Sequence, residues 1–221
     1  MHLLSINIGA PRAVDETRPH DLTGIFKEPV AGPVRVTRDG LPGDAIISTR
    51  HHGGPDQAIY VYSGADYAWW SAELGQELAP GTFGENLTIS DQESAGLAIG
   101  DRLHIGDVIL EVTAPRIPCD TFARRMGDPG FVRRFRAAER PGVYCRVVRD
   151  GEIRAGEPVM LEPYAGERVT VVEVFRDYYE RDRDPTAIRR FLAAPLAVRA
   201  RIEKERQLRE LEVGLMGDVS A

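Results

Sequence analysis

The sequence predicts a mainly β protein: a compact β-barrel with helical insertions, followed by a small unit of three helices, so that the chain is α+β overall. Two observations predict this class. Apolar residues recur at every second position in short segments up to about residue 161, and with the helical period after about Arg168. Glycine and proline separate the short segments, which favours a closed or strongly curved antiparallel sheet over a parallel sheet with long helical crossovers.

The predicted strands are short and half-buried, because apolar residues alternate with polar or amphipathic neighbours. Their apolar positions are Leu4/Ile6/Ile8, Val34/Val36, Ile59/Val61, Leu103/Ile105, Val108/Leu110/Val112, Val143/Cys145/Val147 and Val159/Leu161. Two helices interrupt them. One is predicted from about Gly64 to Leu74, and one from about Asp120 to Arg136 with a break at Gly127-Asp128-Pro129-Gly130.

Three further helices are predicted near the C-terminus. Five apolar residues beginning at Val171 form one helical stripe, and Asp184 before Pro185 is a typical helix start. Ala194-Pro195 ends that second helix, and a third is expected from about Leu196 to Leu211, fraying from Gly214 onward. We therefore divide the chain into a barrel domain, residues 1–165, and a three-helix domain, residues 166–221.

Composition excludes several classes of protein. The 221 residues are 43% hydrophobic and carry a net charge of −6, which is typical of a soluble globular protein and argues against nucleic-acid binding. No apolar run approaches the roughly 18 residues that span a membrane. The N-terminal segment lacks the basic and apolar regions of a secretory signal, so a cytoplasmic location is expected.

The basic residues are unevenly placed. Residues 115–149 contain nine arginines against three acidic residues, which favours contact with a small anion; the alternative is a solvated helix surface. The chain has just two lysines, Lys27 and Lys204, both in polar sequence contexts. A Schiff-base mechanism needs a buried lysine, so pyridoxal phosphate is not expected as a cofactor.

Cys119 is the leading candidate for chemistry. It follows a strand through a proline-rich segment and precedes a predicted helix, so its sulfur is expected at a helix N-terminus with Arg116, Arg124 or Arg125 in range. Both features favour the thiolate. The alternative is a small apolar residue that fills one end of the barrel. Cys145 lies on the apolar face of a strand and is expected in the core. Two cysteines are too few for an iron–sulfur cluster or a typical structural zinc site from this chain alone.

Three other groups of polar residues are candidates. The His51-His52-Gly53-Gly54 turn brings backbone N–H groups and an imidazole to a ligand, or is a plain solvent-facing turn. Glu85 and Asn86 are neighbours where a loop enters a strand, so one of them is expected to face a pocket and the other to brace the loop. Arg146 is expected to face inward, either towards an anion or in an ion pair with Glu85 or Asp44.

Several of these residues belong to motifs that carry a resemblance. In order, the motifs are Gly43-Asp44, His52-Gly53-Gly54-Pro55-Asp56 followed by Ala58, Phe83-Gly84-Glu85-Asn86-Leu87, Gly100-Asp101, Pro115-Arg116-Ile117-Pro118-Cys119 and Gly142-Val143-Tyr144-Cys145-Arg146-Val147. Together they resemble a MOSC domain of the YiiM type, a family named for its homology to the C-terminal domain of molybdenum cofactor sulfurases. The match covers roughly residues 1–165, and the trailing helices resemble the small three-helix domain of YiiM-type proteins.

The resemblance implies a β-barrel that holds a molybdenum cofactor of the molybdopterin type and reduces N-hydroxylated small molecules such as hydroxylaminopurine-type bases. Cys119 would be the catalytic residue and would bind the molybdenum or carry sulfur. The other family positions, expected to contact the cofactor, are His52, Gly53, Glu85, Asn86, Arg116 and Arg146.

The chain has no dinucleotide-binding glycine motif, so electrons are expected from a separate flavin-type or cytochrome-type reductase. Two other functions stay open: a non-catalytic carrier of the cofactor or of sulfur on Cys119, and a thiol hydrolase or transferase using Cys119 with His52. The three-helix unit could cover the barrel mouth, dock the reductase or form a homodimer interface.

Overall fold

The computed structural model describes residues 1–15, 19–47 and 53–218. Within these ranges the chain forms twelve strands and six α-helices. The strands are β1 (Leu3–Ile8), β2 (Arg12–Ala13), β3 (Leu22–Thr23), β4 (Glu28–Pro29), β5 (Val34–Val36), β6 (Ile59–Ser63), β7 (Leu87–Ile89), β8 (Arg102–Ile105), β9 (Val108–Pro115), β10 (Val143–Arg149), β11 (Gly151–Ile153) and β12 (Val159–Glu162). The helices are α1 (Gly64–Leu74), α2 (Asp120–Arg125), α3 (Phe131–Ala138), α4 (Val171–Tyr179), α5 (Pro185–Leu192) and α6 (Val198–Asp218).

Eight of the described strands form one large sheet in the order β12-β8-β9-β10-β6-β7-β1-β4. All pairs in it are antiparallel except β6 with β7, which is parallel. The chain is thus a mixed α/β protein built on a mostly antiparallel sheet. A closed barrel is not confirmed, because β1 and β12 do not form a ladder with each other in the described structure. The residues directly before these strands, His2 and Pro158, form one isolated bridge, next to which Leu3 N donates to Glu157 O at 2.9 Å.

The core packs against the large sheet and follows the predicted alternation in most strands. Strand β6 differs, because all five of its residues are buried and the strand is not half-buried as predicted. Apolar residues from β1, β6 and β8–β10 are fully buried, including Ile6, Ile59 and Cys145. Leu4, predicted to share a face with Ile6, is instead 50% exposed. The pairing of β1 with β7 shifts register between Leu3 and Ser5, and this irregularity turns Leu4 towards solvent.

Helices α1 to α5 lie where the sequence predicts them, because their ends carry local signals. Ser63 accepts a hydrogen bond from Ala65 N at the start of α1, and Asp184 accepts one from Thr186 N at the start of α5. The third C-terminal helix is longer than predicted: α6 passes Gly214 without ending and reaches Asp218. Among the described helices, none is both long enough and apolar enough to cross a membrane.

The C-terminal helices share a core with the sheet. Val171 of α4 and Phe191 of α5 belong to the same buried cluster as the strands. Backbone hydrogen bonds also cross the junction, since Ile99 N donates to Val169 O at 2.9 Å and Ala197 N donates to Thr113 O at 3.1 Å. The division into two domains near residue 165 stays a prediction.

A second buried cluster, made mostly of aromatic rings, lies between β6, α1 and the α2–α3 segment. Phe83 is at its centre, with its ring stacked on Tyr62 at a centroid distance of 4.5 Å and within 6.0 Å of Phe122. Both Phe83 and Phe122 are fully buried. This aromatic cluster fixes the loop before β7 against α2, and those two segments carry the site.

Candidate functional site

A cavity of about 350 Å³ lies where the loop before β7, the segment after β9 and the turn after β5 meet. Its volume is within the usual range for small-molecule sites. Four predicted site residues line it: Gly53, Asn86, Arg116 and Cys119. The rest of the lining includes Gly24, Ile25, Lys27, Asp44, Ile46, Gln57, Tyr60, Gly84, Asp120, Thr121 and Tyr144.

Cys119 lies at the end of the proline-rich segment and directly precedes α2. Its backbone is extended, and its carbonyl accepts hydrogen bonds from Phe122 N and Ala123 N at 3.1 Å each. The side chain is partly exposed, and the free thiol lines the cavity. Cys145 is also a free thiol but is fully buried in the core of the sheet, as predicted.

Arg116 is the cation that faces Cys119. Its side chain is 4% exposed, Nη1 donates to the carbonyl of Phe83, and the guanidinium carbon lies 4.3 Å from the centre of the Phe122 ring. Burial by itself lowers the pKa of Arg116, but interactions with Tyr60, Tyr144 and Cys119 outweigh it and raise the pKa. Its buried Nε has no hydrogen-bond partner among the described residues. A fixed, charged guanidinium with a spare donor suits an anionic ligand.

Asn86 connects three segments of the cavity wall. Its Oδ1 accepts from Tyr60 N at 3.0 Å, and its Nδ2 donates to Asp44 Oδ2 at 2.9 Å. Asp44 also accepts from Gly9 N at 2.9 Å and forms an ion pair with Lys27. The side chains of Lys27 and Asp44 are 8% and 5% exposed, so the wall contains a nearly buried ion pair.

Glu85 faces away from the cavity and braces the loop that carries Asn86. Its Oε1 accepts hydrogen bonds of 2.7 Å from Tyr67 Oη, Gly81 N and Thr88 Oγ1. Burial raises the pKa of Glu85, although these hydrogen bonds oppose the shift. Alternation along the chain therefore separates Glu85 from Asn86, with Asn86 on the cavity side.

Two glycines allow the loops to approach the cavity closely. Gly84 has a φ of +72°, and a Cβ there would lie 2.8 Å from Ile25 Cγ1 and 3.4 Å from Arg116 Nη1. Gly53 has a φ of +77° and also lines the cavity. His52, the predicted imidazole of that turn, lies outside the described residues, as does His51.

Arg146 is placed elsewhere. It is not part of the cavity lining, and it pairs with Asp56 at 3.0 Å and Glu111 at 3.7 Å rather than with Glu85 or Asp44. Its Nη2 also donates to the carbonyls of Pro195 and Leu196 at 3.2 Å. Arg146 therefore connects β10 to the C-terminal segment. Its expected contact with the cofactor stays a prediction, and its ion pairs with Asp56 and Glu111 do not favour it.

Most of the arginine-rich segment likewise serves other contacts. Arg116 is its single member in the described cavity lining. Others pair with acidic side chains, as Arg124 does with Asp15 and Asp120, and Arg140 with Asp66. These arginines therefore form separate ion pairs rather than one shared anion site, and some of the pairs are largely buried, as that of Arg140 with Asp66 is.

Lys27, Tyr60 and Tyr144 line the cavity, although no sequence pattern above predicts them there. The context of Lys27 is not polar throughout: it follows Ile25 and Phe26, and these apolar neighbours are a sequence signal of burial. Lys204 is also nearly buried, in an ion pair with Asp177. The premise used against pyridoxal phosphate is therefore wrong, and the expectation about that cofactor stays a prediction.

Comparisons with known proteins match this chain to one family. The model of the MOSC domain matches residues 48–160, a range that includes Gly53, Asn86, Arg116 and Cys119. The Bacillus subtilis (strain 168) protein YflK is 30% identical over 191 residues, which are 86% of this chain and 86% of that protein. A protein of Gibberella moniliformis named "Reductase" is 34% identical over 148 residues, 64% of this chain but 26% of that protein.

The solved structures agree with these matches. The crystal structure of YiiM from Geobacillus stearothermophilus superimposes with a TM-score of 0.78 at 27% identity, covering 94% of this chain and 98% of that one. The similarity therefore includes both the sheet and the C-terminal helices. This chain belongs to the MOSC domain family and is a YiiM-type member of it.

Proposed function

We propose that this protein holds a molybdenum cofactor in the cavity and reduces N-hydroxylated small molecules in the cytoplasm, with electrons from a separate flavin-type or cytochrome-type reductase. The observation that carries the proposal is the position of Cys119 and Arg116 on one cavity wall. A thiol and a buried guanidinium face the same space, and both lie within the segment that matches the MOSC model.

The residues present fit such a group. A thiolate is a suitable ligand for a sulfur-rich metal centre, so Cys119 would bind the molybdenum. The unpartnered Nε of Arg116 needs an acceptor, which an anionic phosphate of the cofactor would provide. Asn86 and Gly53, which also line the cavity, would contact the pterin. Arg146 has no part in this proposal, because its guanidinium is committed to Asp56 and Glu111.

The reaction consumes two electrons and two protons, and converts an N-hydroxyl group to N–H with release of water. When bound, the cofactor supplies the two-electron redox chemistry that side chains do not perform unaided. The chain itself provides the thiolate ligand, a fixed positive charge and a wall rigidified by aromatic packing. The name of the Gibberella moniliformis relative, "Reductase", supports a reductase, although this chain matches 26% of that protein.

Metal and pterin analysis tests the proposal. Protein purified from a host that makes the cofactor is expected to contain about one molybdenum and one pterin per chain, and to reduce a hydroxylaminopurine with a chemical reductant. Cys119→Ser is expected to lose molybdenum and activity. Cys145→Ala is the matched control: it also removes one thiol, but from the core, and is expected to keep both.

Three outcomes would contradict the proposal. If wild-type protein from a host that makes the cofactor contains no molybdenum, the cofactor is excluded. If Cys119→Ser keeps its full molybdenum content, Cys119 is excluded as the metal ligand. Stoichiometric cofactor without turnover under any reductant would favour the carrier alternative over the reductase.

A further inference from the structure

We propose that Lys27 is the proton donor of this cavity: its ammonium group protonates the oxygen that leaves when an N-hydroxylated substrate is reduced, and Asp44 holds the ammonium in position. The inference rests on the proposed function and deepens it, because it assigns a catalytic role to a lysine that the sequence motifs do not include.

The first argument is the geometry of the pair. Lys27 and Asp44 both line the cavity, and their side chains are nearly buried. Asp44 is fixed by two further donors, Gly9 N and Asn86 Nδ2, each at 2.9 Å. A carboxylate held by three donors cannot turn away easily, so the lysine Nζ is oriented at the edge of the cavity.

The second argument is that other cavity residues hold their protons too tightly. Tyr60 donates its hydroxyl to Pro141 O at 2.8 Å, and burial raises its pKa. Burial also raises the pKa of Tyr144. Arg116 does not lose its proton under physiological conditions. These groups can orient a ligand, but they are poor acids for a catalytic step.

Lys27 differs because burial lowers its pKa, and the ion pair with Asp44 opposes this effect in part. The charged groups that influence it electrostatically are Asp44 on the turn after β5, Arg116 after β9 and, more weakly, Glu85, which lies behind the cavity wall before β7. Arg116 lowers the pKa further and Glu85 raises it. A general acid works best when its pKa lies near the working pH, and burial moves Lys27 in that direction.

The step balances as follows. A hydroxylamine R–NH–OH takes up two electrons from the separate reductase, and its N–O bond breaks with the electron pair on oxygen. Lys27 gives one proton to that oxygen, which leaves as water. The nitrogen takes the second proton from solvent to give R–NH₂, and solvent then reprotonates the neutral Lys27 amine beside Asp44.

Lys27→Arg tests the step, because arginine keeps the positive charge next to Asp44 but is not a useful acid. The variant is expected to keep its molybdenum content and KM but to lose about 100-fold in kcat. Wild-type kcat is expected to fall as the pH rises through the pKa of Lys27, and this alkaline limb is expected to be absent in Lys27→Arg. Lys204→Arg is the matched control, since Lys204 forms a similar buried pair with Asp177 away from the described cavity.

If Lys27→Arg has the same kcat and KM as the wild type, the inference about Lys27 is overturned but the proposed function is not. Lys27 would then be an electrostatic contact. An inactive wild type would overturn the proposed function and this inference together. If Lys27→Arg fails to fold, the double variant Lys27→Met/Asp44→Asn removes both charges of the pair. It is expected to lose kcat to a similar extent, and normal kcat would overturn the inference.

A second readout does not depend on activity. Because the chain has two lysines, ¹⁵N-lysine labelling gives two side-chain NMR signals, and Lys204→Arg assigns them. The Lys27 amine is expected to titrate below the ordinary lysine value of 10.5. A Lys27 signal that stays protonated up to that value would also overturn the inference.

Discussion

Asn86 and Asp44 lie 42 residues apart in the chain, yet Asn86 Nδ2 donates a 2.9 Å hydrogen bond to Asp44 Oδ2. The same carboxylate forms an ion pair with Lys27. One hydrogen bond therefore joins the Phe-Gly-Glu-Asn loop to the Gly-Asp turn, and through it the cavity wall becomes a connected polar network.

Asn86→Leu is expected to destabilise the protein by about 1–3 kcal/mol, because Tyr60 N loses its buried acceptor and Asp44 loses a donor. Urea unfolding measures the change, and an unchanged slope would show that the unfolded state is the same. Gln76→Leu, at an exposed amide, is the control and is expected to have little effect. A stability equal to wild type in Asn86→Leu would show that the network contributes nothing.

Glu85 gives the fold a pH dependence of known sign. Burial raises its folded-state pKa above the ordinary 4.5, so its contribution to stability is fully present below 4.5 and is lost as the pH rises through the folded pKa. Glu85→Gln does not ionise and is expected to lose less stability over that interval. Urea unfolding from pH 4.5 upward tests this; parallel curves for the two proteins would contradict it.

Gly84→Ala is expected to disturb Arg116 and lower molybdenum content, with a cost in stability of about 1–3 kcal/mol, because the new Cβ would lie 2.8 Å from Ile25 Cγ1. Gly32→Ala is a matched control. Gly32 has a φ of +82°, but a Cβ there meets nothing within 4 Å. The Gly32→Ala variant therefore measures the cost of backbone strain without a steric clash. Equal metal content and stability in the two variants would argue against a role for close packing at Gly84.

Arg146→Met is expected to lower stability by about 1–3 kcal/mol, because the carbonyls of Pro195 and Leu196 lose a charged donor. Molybdenum content and kcat/KM are expected to stay within about twofold of wild type, since Arg146 is outside the cavity lining. Chemical denaturation and metal analysis measure the two quantities. Loss of the metal in a stably folded variant would restore Arg146 as a cofactor contact.

Thiol titration separates the two cysteines. In native cofactor-free protein, a thiol reagent such as DTNB is expected to modify one thiol per chain, because Cys119 lines the cavity whereas Cys145 is fully buried. Burial also raises the pKa of Cys145, which reduces its reactivity further. In Cys119→Ser, no thiol is expected to react with DTNB until the protein is unfolded. Two reactive thiols in the native wild type would contradict the burial of Cys145.

Local signals explain why the helices could be predicted. Asp184 before Pro185 caps α5, and the Gly127 to Gly130 segment separates α2 from α3, so each end depends on residues next to it. Alternation likewise predicted the core position of Cys145. It failed at Leu4, because the register shift in β1 is set by the pairing with β7, a distant segment.

Contacts between distant segments decided the rest of the site. The sequence by itself determined the classes of the main elements, the buried Cys145 and the exposure of Cys119 after a stiff proline-rich segment. Only the tertiary structure decided that Lys27 is buried against Asp44, and that Arg146 pairs with Asp56, 90 positions away, instead of facing the cavity. The physical reason is that a charged side chain is stabilised by whichever opposite charge the fold brings near it, and sequence periodicity specifies a face of a strand but not the partner across it.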